Sequence, residues 1–488
     1  MNQRDIASVI VGGNRINLRP SIPFTDIAGK SYYLISSKGL SDGSSDKLND
    51  GADFGPDTPG TQTSGIQEAL NAAGNAIKVK VAFGNYKLNS NLQFNDQNVE
   101  FEGGTLVFAS TPSALNFSYC NGAIVKGNGV VISGWTSQAI DLYQSGYFEC
   151  TDFICNGASS PGTNGNAGIV INGCPNGAFI ARIKLSNCGN ISISQPSLNF
   201  ATSSGQINSN VWFVDVTVNG GVGPFIGTAS NCYFIGCSSS GTAEDTFDIA
   251  DGSYNIFVSE LHTANSGSYG ITIGATVSTG ICKNIFLNNC SFITSKGGGC
   301  SIGFGVGTDE QIFLTNCDAS DNGQAANANQ WDNSGFVISS TINSFSLVNC
   351  STNNTGTTQT YGVYNLSDVV GLKGSAINCD FTTNKTAAYF NTTAKCNVKF
   401  INCNGINYQG YSVTTPAVPA SAAVYVSTFP FSIRITILTA SGATATITDA
   451  NSTVSSSFAL SAGQQITLDP GCSITPTYTT LTWQFYGE

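Results

Sequence analysis

CYFIGC (232–237), IFVSEL (256–261), IFLNNC (285–290), IFLTNC (312–317), FSLVNC (345–350), GSAINC (374–379) and VKFINC (398–403) are one six-residue phrase written seven times. Their last residues fall 24, 29, 27, 33, 29 and 24 positions apart. Self-similarity at such a period marks a solenoid, in which each repeat buries its apolar face only by stacking on its neighbours. A second phrase lies upstream in each repeat: Tyr269-Gly-Ile-Thr-Ile273, Cys300-Ser-Ile-Gly-Phe304, Ser334-Gly-Phe-Val-Ile338 and Tyr361-Gly-Val-Tyr-Asn365. Both phrases alternate apolar with small or polar residues, which is strand periodicity. Two or three short strands per repeat, joined through Gly, Asn and Ser, describe one coil of a parallel β-helix. No segment holds a helical apolar period for long enough to suggest helical repeats. Propeller blades, at about 40 residues with four strands, fit this period badly.

Composition agrees with that reading. Only 10% of the 488 residues are charged while 41% are hydrophobic, and glycine reaches 55. This is a neutral, turn-rich β composition rather than a disordered one. The net charge of −11 and the single histidine argue against a nucleic-acid partner or an anionic membrane surface, each of which needs a basic patch. No apolar run is long enough to span a membrane.

Many of the sixteen cysteines follow an asparagine, as in Asn187-Cys188, Asn289-Cys290, Asn316-Cys317, Asn349-Cys350, Asn378-Cys379 and Asn402-Cys403. Coils stacked about 4.8 Å apart could bring aligned thiols to disulfide distance. The simpler expectation is a buried ladder in which Cys serves as a small hydrophobe. No Cys-X-X-Cys pair exists and no metal or other cofactor is expected. The first residues, MNQRDIASVIVGG, lack the apolar core of a secretory signal. Sequons occur at Asn116, Asn190, Asn353, Asn384 and Asn391, and the composition looks extracellular. A surface-type solenoid without an export signal fits a protein carried on a virus particle.

In chain order, residues 1–60 show no coil pattern and read as an arm that attaches the protein to other virion components. Ser64–Ala73 reads as a helix with a Ser64/Gln67 capping box and Ile66 and Leu70 on one face, covering the open end of the solenoid. Coils occupy the remainder of 61–412. Residues 413–421 form a Pro-containing linker, and 422–488 alternate like a small antiparallel β-sandwich.

The stretch Asp50-Gly-Ala-Asp-Phe-Gly55, the Ser64–Ala73 helix and the strands VKVAFGNYKLNSNLQF and NVEFEGG together resemble the start of the pectin-lyase-like superfamily. The resemblance covers roughly residues 45–410. It implies an all-β fold, a right-handed single-stranded parallel β-helix, shared by pectinases, polysaccharide lyases and viral tailspikes.

The candidate chemistry lies in GTAEDTFDIADGSYN (241–255). Asp245, Asp248 and Asp251 are the catalytic candidates, and Glu244, Tyr269 and His262 the binding candidates. Glycosidases need two carboxylates, roughly 5–5.5 Å apart when retaining and 6.5–9.5 Å when inverting. Asp248 should point outward because Phe247 and Ile249 take the inward positions. DTFDIADGSYNIFV followed by YGITIG is similar to polygalacturonases, with Tyr269 standing where that family has the histidine of Gly-His-Gly. The plain alternative is that these acids are solvated turn residues or bind a cation, and His262 is a surface or turn histidine.

A last pattern concerns the outer face. Aligning the second phrase places Asp141, Val170, Ile226, Asp248, Thr272, Gly303, Val337, Tyr364 and Phe390 in one outward column. Val170, Ile226, Val337, Tyr364 and Phe390 would then need cover, either from identical subunits around a threefold axis or from a loop of the same chain. The function these expectations favour is a homotrimeric virion spike that binds host surface glycans. A polysaccharide-cleaving enzyme and a non-enzymatic surface protein are the alternatives.

Overall fold

The computed structural model describes residues 32–37, 52–58, 60–157, 167–174, 176–188, 208–275, 280–325, 331–339, 342–356, 358–366, 373–391, 398–406, 415–429, 432–449 and 452–487, with the backbone also at 8–11, 14–17, 198–201 and 330. Three parallel sheets run the length of a β-solenoid. The first sheet carries the six-residue phrase: Ala229–Ile235, Tyr254–Ser259, Lys283–Asn288, Glu310–Thr315, Ser344–Val348, Lys373–Ile377 and Val398–Ile401 pair in succession. The second sheet follows after one bend, through Ser238–Ser240, His262–Ala264 and Ser291–Ile293, and continues as bridges through Asp318, Ser351, Asp380 and Asn404. The third sheet carries the upstream phrase, through Asp248–Ala250, Ile271–Gly274, Cys300–Ile302, Ser334–Ile338, Tyr361–Asn365 and Ala387–Asn391.

Inward residues stack in files because parallel in-register coils put equivalent positions over one another. Ile256, Ile285, Ile312 and Phe345 form one file, and Val258, Leu287, Leu314 and Leu347 the next. The file leaves no room above Phe345: a Cβ on Gly374 would lie 2.5 Å from its ring. Only glycine fits there.

The Asn-Cys pairs explain the bend between the first two sheets. Asn289, Asn316, Asn349, Asn378 and Asn402 all adopt φ between 52° and 55°, a region asparagine tolerates better than most residues. The following cysteine turns inward, and its thiol reaches backbone carbonyls. Cys350 Sγ donates toward Val348 O and Leu314 O, both at 3.5 Å. Cys290, Cys317, Cys379 and Cys403 repeat the pattern. Cys237 joins this file, but Cys188 does not: the equivalent position on its coil is Ile183, and Cys188 serves the bend after the second sheet. The fifteen described cysteines are buried free thiols, and burial pushes the Cys232 and Cys237 thiols up to about 12.

The solenoid begins earlier than expected. Tyr32–Ile35, inside the stretch read as an arm, is already a first-sheet strand paired with Lys78–Val81; Ser8–Val11 and Asn14–Asn17 pair antiparallel. The helix Ile66–Ala73 buries Ile66 and Leu70 as expected. Its capping differs. Ser64 donates instead to Lys87 O, Thr63 Oγ1 accepts from Gln67 N at 3.0 Å, and the Gln67 side chain bonds the Gln93 backbone in both directions. Gln67 thus satisfies a strand edge rather than the helix start.

The C-terminal residues form two small antiparallel sheets around Ile433, Ile435, Leu468, Ile474 and Phe485. Trp483 Nε1 donates to Pro416 O and Tyr478 OH to Pro419 O, which ties part of the linker into this unit. Among the described residues, no helix is long and apolar enough to cross a membrane.

The outer face of the first sheet carries an aromatic file that the sequence reading missed. Trp212, Tyr233, Phe257, Phe286 and Phe313 stack with centroids 3.7, 5.1, 5.0 and 5.1 Å apart and rings within 12° of parallel. Each ring covers its neighbour's face, so mainly edges meet solvent.

Candidate functional site

The carboxylate cluster sits on the third sheet. Phe247 and Ile249 are buried, so Asp248 between them points outward, as expected. The observed outward column runs Asp141, Val170, Phe225, Asp248, Thr272, Ser301, Val337, Tyr364 and Phe390, with the backbone of Asn199 at the register position between Val170 and Phe225. Two expected members are displaced. Ile226 is fully buried and pairs with Ile249, leaving Phe225 in the column, and Ser301 rather than Gly303 follows Thr272. Loops of unequal length shift the phrase by a residue or two, and a one-residue slip turns a side chain to the other face.

Val337 and Tyr364 also depart from the expected subunit interface. They are 1% and 5% exposed within a single chain. The turn Gln330–Asn333 folds over this part of the sheet, and Trp331 approaches Tyr364 with centroids 6.4 Å apart. Tyr364 also stacks on Phe390 at 4.8 Å. The chain therefore covers these positions itself. Val170 and Phe390 are half-buried.

Asp245 lies at the mouth of the strand and is anchored by the next coil. Its Oδ1 accepts from Tyr269 N at 2.9 Å and its Oδ2 from Thr272 Oγ1 at 2.6 Å. Asp248 stands beside Thr272 in the column, and its carboxyl is held well above the usual carboxylate range by burial first, then by Asp245 and Asp251. Asp251 ends the strand in a left-handed turn, where its carbonyl accepts from Thr228. Glu244 precedes Asp245 in the same loop, and its carbonyl accepts from Ser266 and Thr242.

Tyr269 connects this cluster to a cavity of about 330 Å³. Its ring helps line the cavity with Phe304, Trp331, Val337, Ser301 and Ser339. Its hydroxyl donates to Asp332 Oδ1, from a residue 63 positions away. Burial, then this bond, push the tyrosine well above its ordinary range, so it remains a donor. The cleft thus combines three aromatic side chains and two serine residues, while Asp245 and Asp332 are linked to it through their hydrogen bonds with Tyr269. Phe304, Trp331 and Asp332 were missed in sequence, where nothing links them to the acidic stretch.

His262 lies elsewhere. It is exposed on the second sheet, and its Nδ1 is 2.8 Å from Ser291 Oγ. It shares an outward file with Ser291, Asp318, Ser351, Asp380 and Asn404 rather than with Asp248. Among the described residues, no group of three or more His, Cys, Asp or Glu side chains is placed to hold a metal ion.

No protein-family profile matches the chain, and no curated protein matches it. Solved structures do resemble it. The A-module of the mannuronan C-5 epimerase AlgE4 of Azotobacter vinelandii is 12% identical over 70% of this chain and 90% of its own, with a TM-score of 0.41. PfbA, a surface adhesin of Streptococcus pneumoniae, is 10% identical over 72% and 92%, with a TM-score of 0.43. The gp42 tailspike of Acinetobacter phage vb_AbaP_AS12 is 12% identical over 87% and 78%, with a TM-score of 0.39.

Proposed function

We propose that the protein is a glycan-binding β-helical spike of a virion surface, and that the third-sheet cleft holds the sugar. The observation that carries this is the convergence of Tyr269, Phe304 and Trp331 with Ser301 and Ser339 around one cavity, with the Tyr269 hydroxyl bonded to Asp332. Sugars present apolar C–H faces that pack on aromatic rings and hydroxyls that pair with serine and carboxylate oxygens. A rigid solenoid supplies both at fixed positions, so little ordering opposes binding. Assembly of three copies, with Val170 and Phe390 as the remaining column positions for contact, would multiply weak sites. Host surface polysaccharide is the partner in this reading, and attachment through the N-terminal residues completes it. Binding of purified polysaccharides to the full chain tests it: Tyr269→Ala and Trp331→Ala should each weaken binding roughly tenfold or more. Unchanged binding in both variants would refute the cleft as the site.

A second reading, glycoside hydrolysis, is favoured by Asp248 alone. A carboxyl whose pKa is raised by burial and by neighbouring carboxylates is the arrangement a general acid requires. Cleavage of a bound polysaccharide that disappears in Asp248→Asn while binding persists would establish it.

A further inference from the structure

A second cleft, of about 620 Å³, opens across the second sheet and shares no lining residue with the third-sheet cavity. Asp318, Ser351 and Asp380 form its floor as bridged neighbours on successive coils. Asp321, Asn353 and Thr383 form one side. Asp318 Oδ1 accepts from Ser320 and Ser351, and Asp380 Oδ1 from Thr382, in each case leaving Oδ2 without a hydrogen bond among the described residues. Asn353 uses its carbonyl oxygen on Thr383, leaving its amide donors open. The two open carboxylates lie two coils apart, about 9.6 Å along the axis, with the Ser351 hydroxyl between them. They do not converge on a point, as metal ligands must. They form instead a line in which open acceptors on two coils flank the open amide of Asn353 on the coil between them.

We propose that this cleft is a separate sugar-chain site, extended along the solenoid axis, that takes uncharged or amino-sugar chains and rejects acidic ones. The proposal rests on the glycan-binding reading of the protein and adds the class of glycan. Three aspartates line the cleft, and no lysine, arginine or histidine does so among the described residues. The chain as a whole carries −11. A uronate or sialate placed here would face like charges with no counter-ion from the protein, whereas a hexose hydroxyl or a hexosamine ammonium can donate to the open oxygens. The open amide of Asn353 supplies the complementary donor.

The test measures affinity of the full chain for mannan, chitosan and polygalacturonate, with Ser351→Trp, Asp380→Lys and Tyr269→Ala as variants. Asp380 is exposed, so its replacement leaves the fold intact, which the melting temperature verifies. Mannan or chitosan should bind and polygalacturonate should not. Ser351→Trp should weaken binding roughly tenfold or more by filling the floor. Asp380→Lys should weaken chitosan selectively and admit polygalacturonate. Equal binding of polygalacturonate and chitosan by the unaltered chain would overturn the proposal, as would indifference to both second-sheet variants. Binding lost only in Tyr269→Ala would remove this site while leaving the third-sheet reading in place. If no polysaccharide binds, both readings fall.

Discussion

Replacing Asp309 with asparagine should make the protein more stable at pH 8 and less stable at pH 4. Asp309 is fully buried at the corner leading into the first sheet. Its Oδ1 accepts from Cys282 N at 2.8 Å, while Oδ2 has no hydrogen-bond partner among the described residues. Burial raises its pKa to about 7, against roughly 3.9 in an unfolded chain. A raised pKa means that the folded state favours the protonated acid. Its contribution is therefore fully present below the unfolded value and is lost as pH rises from about 4 through about 7. At about 1.36 kcal/mol per pKa unit, the shift is worth roughly 4 kcal/mol in total. Asparagine is neutral throughout and can keep the bond to Cys282, though its amide donors need partners that could cost about 1–3 kcal/mol. A net gain of about 1–3 kcal/mol at pH 8 remains.

The protein contains its own control for that substitution. Asn208 occupies the same file of corner residues, is equally buried, and its Oδ1 accepts from Cys174 N at 2.9 Å. The assay is thermal unfolding of both proteins from pH 4 to 9, read as the difference between the two curves so that other carboxylates cancel. The curves should cross between pH 4 and 7. Parallel curves, or a variant less stable at every pH, would refute the reasoning.

Asn349→Ala should destabilise by about 1–2 kcal/mol because alanine strains at φ 52°, whereas Asn349→Gly should cost less; denaturant midpoints distinguish the two. The fifteen described thiols should be silent toward an aromatic disulfide reagent at pH 8 and react only after unfolding, since burial puts them out of the reagent's reach; rapid labelling of these thiols in the native protein would contradict the interior ladder. Phe292→Ala, deep in the core beneath the second sheet, should cost about 3–5 kcal/mol. The exposed file member Phe313→Ala should cost well under half of that, and equal losses would show that the file is buried by another molecule.

The sequence by itself determined the solenoid. Parallel coils share backbone hydrogen bonds, so each must present an apolar side chain at the same inward place, and that demand writes the repeated phrase directly. The Asn-Cys pairs were legible for the same reason: every coil meets the same bend, which asks for a left-handed residue and then a small inward one. Even the missed floor of the second-sheet cleft had a signal, because Asp318, Ser351 and Asp380 each stand one residue after the phrase cysteine.

The rest was decided by tertiary structure. Ile226 and Phe225 exchange roles through a one-residue shift set by loop length, which no period reveals. Trp331 approaches Tyr364, and Asp332 receives the Tyr269 hydroxyl, because a turn between coils folds back over the third sheet. His262 and Asp248 are 14 positions apart in the chain yet lie on different sheets. Local hydrogen bonding fixes which residues face inward. What meets on the outside depends on how unequal loops cross the surface, and their lengths carry no repeat.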